Sequence, residues 1–166
     1  NTDLIAGLPT DTPESFKNSL DSIVRLNAEC ITVHTLCMKR ASRLTTEGVT
    51  LDLQQARDAR EMLAYTQNIL GQNEYIPYYM YRQSRMVGNL ENVGWSKRGF
   101  ESLYNVYVMD ETHTILACGS GGVTKLKRNN PDYLERIFNF KYPYEYIDRF
   151  DELIQRKSGI MQFYGQ

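Results

Sequence analysis

Few groups in this chain could do chemistry, and the first stands at its third residue. Asp3 precedes the apolar run Leu4-Ile5-Ala6, so its carboxylate sits at or just inside a strand. A carboxylate there either faces water or accepts hydrogen bonds from a ligand's hydroxyl or amine. Gly119, Gly121 and Gly122 would let a ligand approach the backbone closely. "GSGGVTK" is nevertheless not a phosphate loop, because Gly-Lys-Ser/Thr is missing, and a plain turn is the simpler reading. Lys125, Lys127 and Arg128 could neutralise carboxylates, although a solvated basic face is the default for such residues. His34 falls in a strand and His113 in a turn, with no acid and nucleophile pattern beside either, so no hydrolytic triad is expected. Neither the histidines nor Cys30, Cys37 and Cys118 have metal-ligand spacing.

The elements that must position these groups read as α/β. The run 3–8, closed by Gly7 and Pro9, has the look of a strand buried on both faces. Thr12, Pro13 and Glu14 open a helix, whose inner stripe is Phe16, Leu20, Ile23 and Val24 and whose stop is Asn27. "CITVHTL" supplies the next strand, and strand, helix, strand with short links implies a parallel pair. In such sheets chemistry gathers at the carboxyl ends of the strands, where Gly7 to Pro9 and Cys37 stand. A long helix is expected over 50–70, with Leu53, Ala56, Leu63 and Ile69 or Leu70 inward and Gly71 as its cap. A strand follows at 78–82, then an aperiodic stretch at 84–99 of the kind that forms functional loops. Runs 103–109 and 114–118 read as a hairpin, Asn130 and Pro131 as the start of a helix, and 143–157 as a last helix.

The bulk numbers set limits. With 166 residues, 42% of them hydrophobic, one ordinary core is possible. A net charge of −1 gives no field favouring nucleic acid. No apolar run is long enough for a membrane span, and nothing resembles a signal peptide. Three scattered cysteines read as reduced thiols, which points to a cytoplasmic protein. Twelve tyrosines suggest aromatic strands or a cavity lined by amphipathic rings.

Several stretches together resemble one family. "DLIAGLPTDTPESFKNSLDSIVRLNAECITVHTL" is similar to the late barrel segment of oxygen-independent coproporphyrinogen III oxidases, which are radical S-adenosylmethionine (SAM) enzymes. The pattern of acid, apolar pair, Gly-Leu-Pro and Thr-x-Glu-Ser-Phe is complete. The resemblance continues through "YYMYRQSRMVGNLENVGWSKRGFESLYNVYVM" and "TILACGSGGVTK" and covers most of the chain. "GNLENVG" and "YN" match best the divergent coproporphyrinogen dehydrogenase branch.

The resemblance implies a fold: the carboxyl-terminal part of a partial (βα)6 TIM-like barrel, with a small carboxyl-terminal α+β region. Residues 1–75 would be late βα units of the barrel, 76–128 a strand and hairpin segment completing the site, and 129–166 carboxyl-terminal helices. The family's CxxxCxxC motif is absent, so its [4Fe-4S] ligands are expected upstream, and the fragment is expected to be inactive alone. A barrel cut in this way would expose a sheet edge and favour self-association.

It also implies a chemistry. In the family, a cluster-bound SAM is reductively cleaved, and the resulting 5′-deoxyadenosyl radical takes a hydrogen from a propionate side chain. Loss of carbon dioxide and an electron leaves a vinyl group, converting coproporphyrinogen III to protoporphyrinogen IX. The implied partners are a tetrapyrrole substrate and an electron donor protein. Asp3 matches a SAM-binding position, Cys37 a backbone contact to SAM, and Val123 a small apolar residue near the same cofactor. No catalytic residue is implied within the chain. The alternative is the haem chaperone branch, whose His-Asn-x-x-Tyr-Trp motif aligns with Tyr104-Asn105-Val106-Tyr107-Val108-Met109. Tyrosine replaces its histidine, and Val-Met its closing pair.

Overall fold

The computed structural model describes residues 1–38, 43–50, 52–83, 86–128 and 133–165. They form two compact units, Asn1–Val106 and Tyr107–Gln166.

In the first unit, β1 (Thr2–Ala6) and β2 (Cys30–Thr35) pair in parallel, as the crossover requires, with Asp3 opposite Thr32 and Ile5 opposite His34. Between them runs α1 (Pro13–Arg25). The Thr12 hydroxyl accepts from the Ser15 amide at 3.1 Å, and the Ser15 hydroxyl accepts from the Thr12 amide at 2.9 Å. This reciprocal cap satisfies two amides that would otherwise lack partners. The helix ends where Asn27 enters the left-handed region at φ 59.

After the single turn α2 (Arg43–Thr46) comes α3 (Leu53–Gln72), capped by Asp52. Its inner face is Ala59, Met62, Thr66 and Leu70; Leu53, expected inside, is 79% exposed. Leu53 opens the first turn, ahead of the part of the helix that lies on the sheet. Gly71 is not the cap, since the helix runs past it to Asn73, whose side-chain amide closes on the Ile69 carbonyl at 2.8 Å. The left-handed position is Glu74.

β3 (Ile76–Tyr81) and β4 (Asn92–Ser96) complete a sheet in the order β1-β2-β4-β3, with β4 antiparallel to both neighbours. The sheet is therefore mixed. β4 lies in the stretch expected to be a loop. It shows no alternation because all but Val93 of its residues are buried, the polar Asn92 and Ser96 included. Phe16, Leu20, Ile31, Val33, Met62, Leu70 and Trp95 form the core between the sheet and α1 with α3. Burying each large side chain contributes about 1.5–3 kcal/mol.

The expected hairpin does not form. Residues 103–109 lie in α4 (Leu103–Asp110), whose first turn closes as the Val106 amide donates to the Ser102 carbonyl. A short run of aromatic and β-branched residues suits strand or helix equally, and here four-residue hydrogen bonding decides. In the second unit, the run 114–118 keeps only an isolated bridge from Ile115 to Lys125.

Lys125 belongs to β5 (Val123–Lys127), which pairs antiparallel with β6 (Leu134–Phe138). A helix was expected at β6; its proposed caps, Asn130 and Pro131, lie outside the described residues. The backbone of β5 needs a ladder partner, and 134–138 supplies it. The helix expected over 143–157 is two, α5 (Pro143–Asp148) and α6 (Phe150–Lys157), and α7 (Gly159–Tyr164) follows. Arg149 leaves helical geometry at φ −114, ψ 32, which divides the first two. Its guanidinium and that of Arg156 both stack 4.2 Å from the Phe140 ring and both bind Glu152.

Candidate functional site

The sheet of the first unit has two unlike faces. One is the apolar core face. The other carries Asp3 from β1, Thr32 and His34 from β2, Asn92 and Gly94 from β4, and Tyr79 and Tyr81 from β3, as the registers place them. Gly94 makes this face possible. A β-carbon there would sit 1.8 Å from Cε1 of Tyr79, so the tyrosine ring occupies the space of the missing side chain. The ring crosses β4, and its hydroxyl meets the Thr32 hydroxyl at 3.0 Å. Tyr81 stacks parallel to it, with centroids 6.3 Å apart, and its hydroxyl lies 3.3 Å from His34 Nδ1.

The other nitrogen of His34, Nε2, lies 3.7 Å from Asp3 Oδ1, an electrostatic contact longer than a hydrogen bond. The Asp3 side chain is 56% exposed, and its Oδ1 also accepts from the Asn1 amide at 3.2 Å. Burial pushes the Tyr79 and Tyr81 phenols above their ordinary value, and hydrogen bonds to Thr32 and Asn92 offset part of that. Both phenols therefore keep their protons near neutral pH.

No acid stands beside His34 in the sequence, and the sheet brings one to it across strands. Parallel pairing brings Asp3 beside it from 31 positions away in sequence, a register that no local spacing reveals. Tyr79 and Tyr81, missed as site residues, did leave a signal in the alternation of tyrosines along β3.

Cys37 follows β2, half-buried, and bridges to Met86. Together with Asp3 it adds a small electrostatic rise to the Tyr81 phenol, after that from burial. At the carboxyl end of β1, Gly7 adopts φ 86, and its amide donates to Met62 Sδ at 3.3 Å. Val123 opens β5 in the second unit, half-buried opposite Phe138. The glycine run before it is a turn: Gly121 donates to the Phe140 carbonyl at 2.7 Å, and Asn139 Nδ2 to that of Gly119 at 2.7 Å. Lys125 pairs with Glu111 at 2.7 Å.

A cavity of about 290 Å³ on the core side of the sheet is lined by Val33, Leu63 and Trp95, with Arg60 and the Arg82–Glu91 pair at its rim. Asp3, Cys37 and Val123 do not line it. Among the described residues, no three His, Cys, Asp or Glu side chains are grouped to hold a metal ion, and no helix is long and apolar enough to cross a membrane.

The arrangement suits a ligand rich in hydroxyls. It offers one half-exposed carboxylate as acceptor, with phenols and an imidazole behind it. No family model matches the chain. Over 162 residues, 98% of the chain, it is 36% identical to "Oxygen-independent coproporphyrinogen-III oxidase-like protein HemZ" of Bacillus subtilis. The chain is thus similar in sequence to one oxygen-independent coproporphyrinogen-III oxidase-like protein. It spans 32% of that relative's length. Among solved structures it matches one described as "Coproporphyrinogen III oxidase (HemN) from Escherichia coli is a Radical SAM enzyme", with a TM-score of 0.54 and 18% identity. That match covers 90% of this chain and 33% of the other, and it establishes likeness of fold.

The stretch aligned with the haem-binding motif lies on α4. Tyr104 there is 66% exposed, and Asn105 donates to the Tyr78 hydroxyl at 2.8 Å.

Proposed function

We propose that this chain is part of a longer radical SAM enzyme that decarboxylates coproporphyrinogen III oxidatively in haem biosynthesis, turning propionates into vinyl groups. The observation that supports this reading is the 36% identity, sustained over 98% of the chain, to a protein named as oxygen-independent coproporphyrinogen-III oxidase-like. In this reading residues 1–75 are late units of a partial (βα)6 barrel, 76–128 complete the site, and 129–166 form a carboxyl-terminal region.

The polar face of the sheet is then the inner, ligand-bearing face. Asp3 fits SAM in its chemistry, because an exposed carboxylate is the acceptor that two ribose hydroxyls require. Cys37 contributes its backbone beyond β2. The described residues do not fit an iron–sulfur cluster, whose ligands would come from elsewhere in the longer protein. Bound SAM and its cluster would supply the radical that removes hydrogen from the substrate's propionate. The part played by this chain is to hold the nucleoside and to keep the phenols of Tyr79 and Tyr81 protonated beside it.

Equilibrium dialysis with SAM, on the full-length protein carrying this chain, tests the assignment. Asp3→Asn keeps the shape but loses the charge, and should weaken binding by about tenfold. Unchanged affinity would remove Asp3 from the site.

A further inference from the structure

A chain of polar groups crosses the open face of the first unit's sheet, and its direction of donation is fixed from one end. The Thr35 backbone amide can only donate, and it gives its proton to Asn92 Oδ1 at 2.7 Å. At the other end the Asp3 carboxylate can only accept, and the His34 nitrogen that faces it is Nε2. Nε2 therefore carries the proton, and Nδ1 accepts from the Tyr81 O–H at 3.3 Å. An imidazole that accepts at Nδ1 carries its proton on Nε2. That nitrogen faces Asp3 Oδ1 at 3.7 Å.

We propose that His34 is a positioning residue for Asp3: Tyr81 locks its Nε2–H tautomer, and that N–H steers the carboxylate over the open face of the sheet. The inference rests on the reading that Asp3 receives the hydroxyls of a bound nucleoside, and it adds how the acceptor is oriented before the ligand arrives. Pre-orienting one rotamer lowers the entropy that binding must otherwise spend. Tyr81 can reach His34 only because β4, the strand between them, presents the short Asn92 and Gly94 on this face.

Nitrogen-15 NMR of the histidine side chains in this chain, above the imidazole titration range, reads the tautomer directly. The Nε2–H form of His34 should be favoured about fivefold more in the wild type than in Tyr81→Phe, the effect of one hydrogen bond. Three-bond couplings should show one dominant χ1 rotamer for Asp3. His34→Phe should average that rotamer, and His34→Gln, whose amide can stand in for Nε2–H, should restore it. Amide spectra of each variant confirm the fold. An unchanged tautomer in Tyr81→Phe, or an unchanged Asp3 rotamer in His34→Phe, would overturn the proposal. Neither measurement uses a ligand, so failure here is distinct from failure of SAM binding in Asp3→Asn.

Discussion

The Tyr79 ring lies where Gly94 would carry a side chain, with the nearest ring atom 1.8 Å from the missing β-carbon position. Glycine at 94 is thus a requirement of the tyrosine. Gly94→Ala should expel the ring, break the Thr32–Tyr79 hydrogen bond and cost about 1–3 kcal/mol in denaturant unfolding. Paired with Tyr79→Ala, the same substitution should cost much less than the sum of the two.

Met62 has a second duty beyond filling the core. It is fully buried, and its sulfur accepts the Gly7 amide proton at the end of β1. Met62→Leu conserves volume but removes that acceptor. We expect a loss of about 1–2 kcal/mol and faster hydrogen exchange at the Gly7 amide. Protection unchanged at Gly7 would show that the contact has no energetic role.

Acid should weaken the second unit through Glu111. Its hydrogen bond to Lys125, and then that to Arg136, hold the carboxyl below its ordinary value of 4.5. A carboxyl lowered by folding stabilises above its unfolded value, and that stabilisation is lost as pH falls through the lowered folded value. Unfolding midpoints should therefore drop on acidification below about pH 4.5, less steeply in Glu111→Gln. The groups are partly exposed, so added salt should shrink the difference.

Self-association is expected of the isolated chain. Among the described residues, β1 and β3 each have one strand neighbour in their sheet. An edge with open donors and acceptors recruits another strand. Light scattering should show mass rising with concentration in the range of about 10–100 µM. A constant monomer mass would mean that these edges are protected.

Legibility in the sequence followed how local the determining physics is. Thr12, Pro13 and Asn27 bracket α1 by capping, and the β1–α1–β2 crossover follows from short links. β4 was invisible because burial of nearly every residue erases alternation, and its partners lie far away in sequence. The strand β6 read as a helix because only the ladder of β5 decides it. Asp3 was legible as a carboxylate before a strand, but its company was not. His34 reaches it through strand register, and Tyr79 reaches Thr32 through the missing side chain of Gly94, both properties of the assembled sheet.

The most direct test of the whole account is anaerobic turnover of coproporphyrinogen III by the full-length, cluster-reconstituted protein that carries this chain. Protoporphyrinogen should form together with 5′-deoxyadenosine, and most of that activity should be lost in Asp3→Asn. Formation of neither product, with the cluster verified spectroscopically, would contradict it.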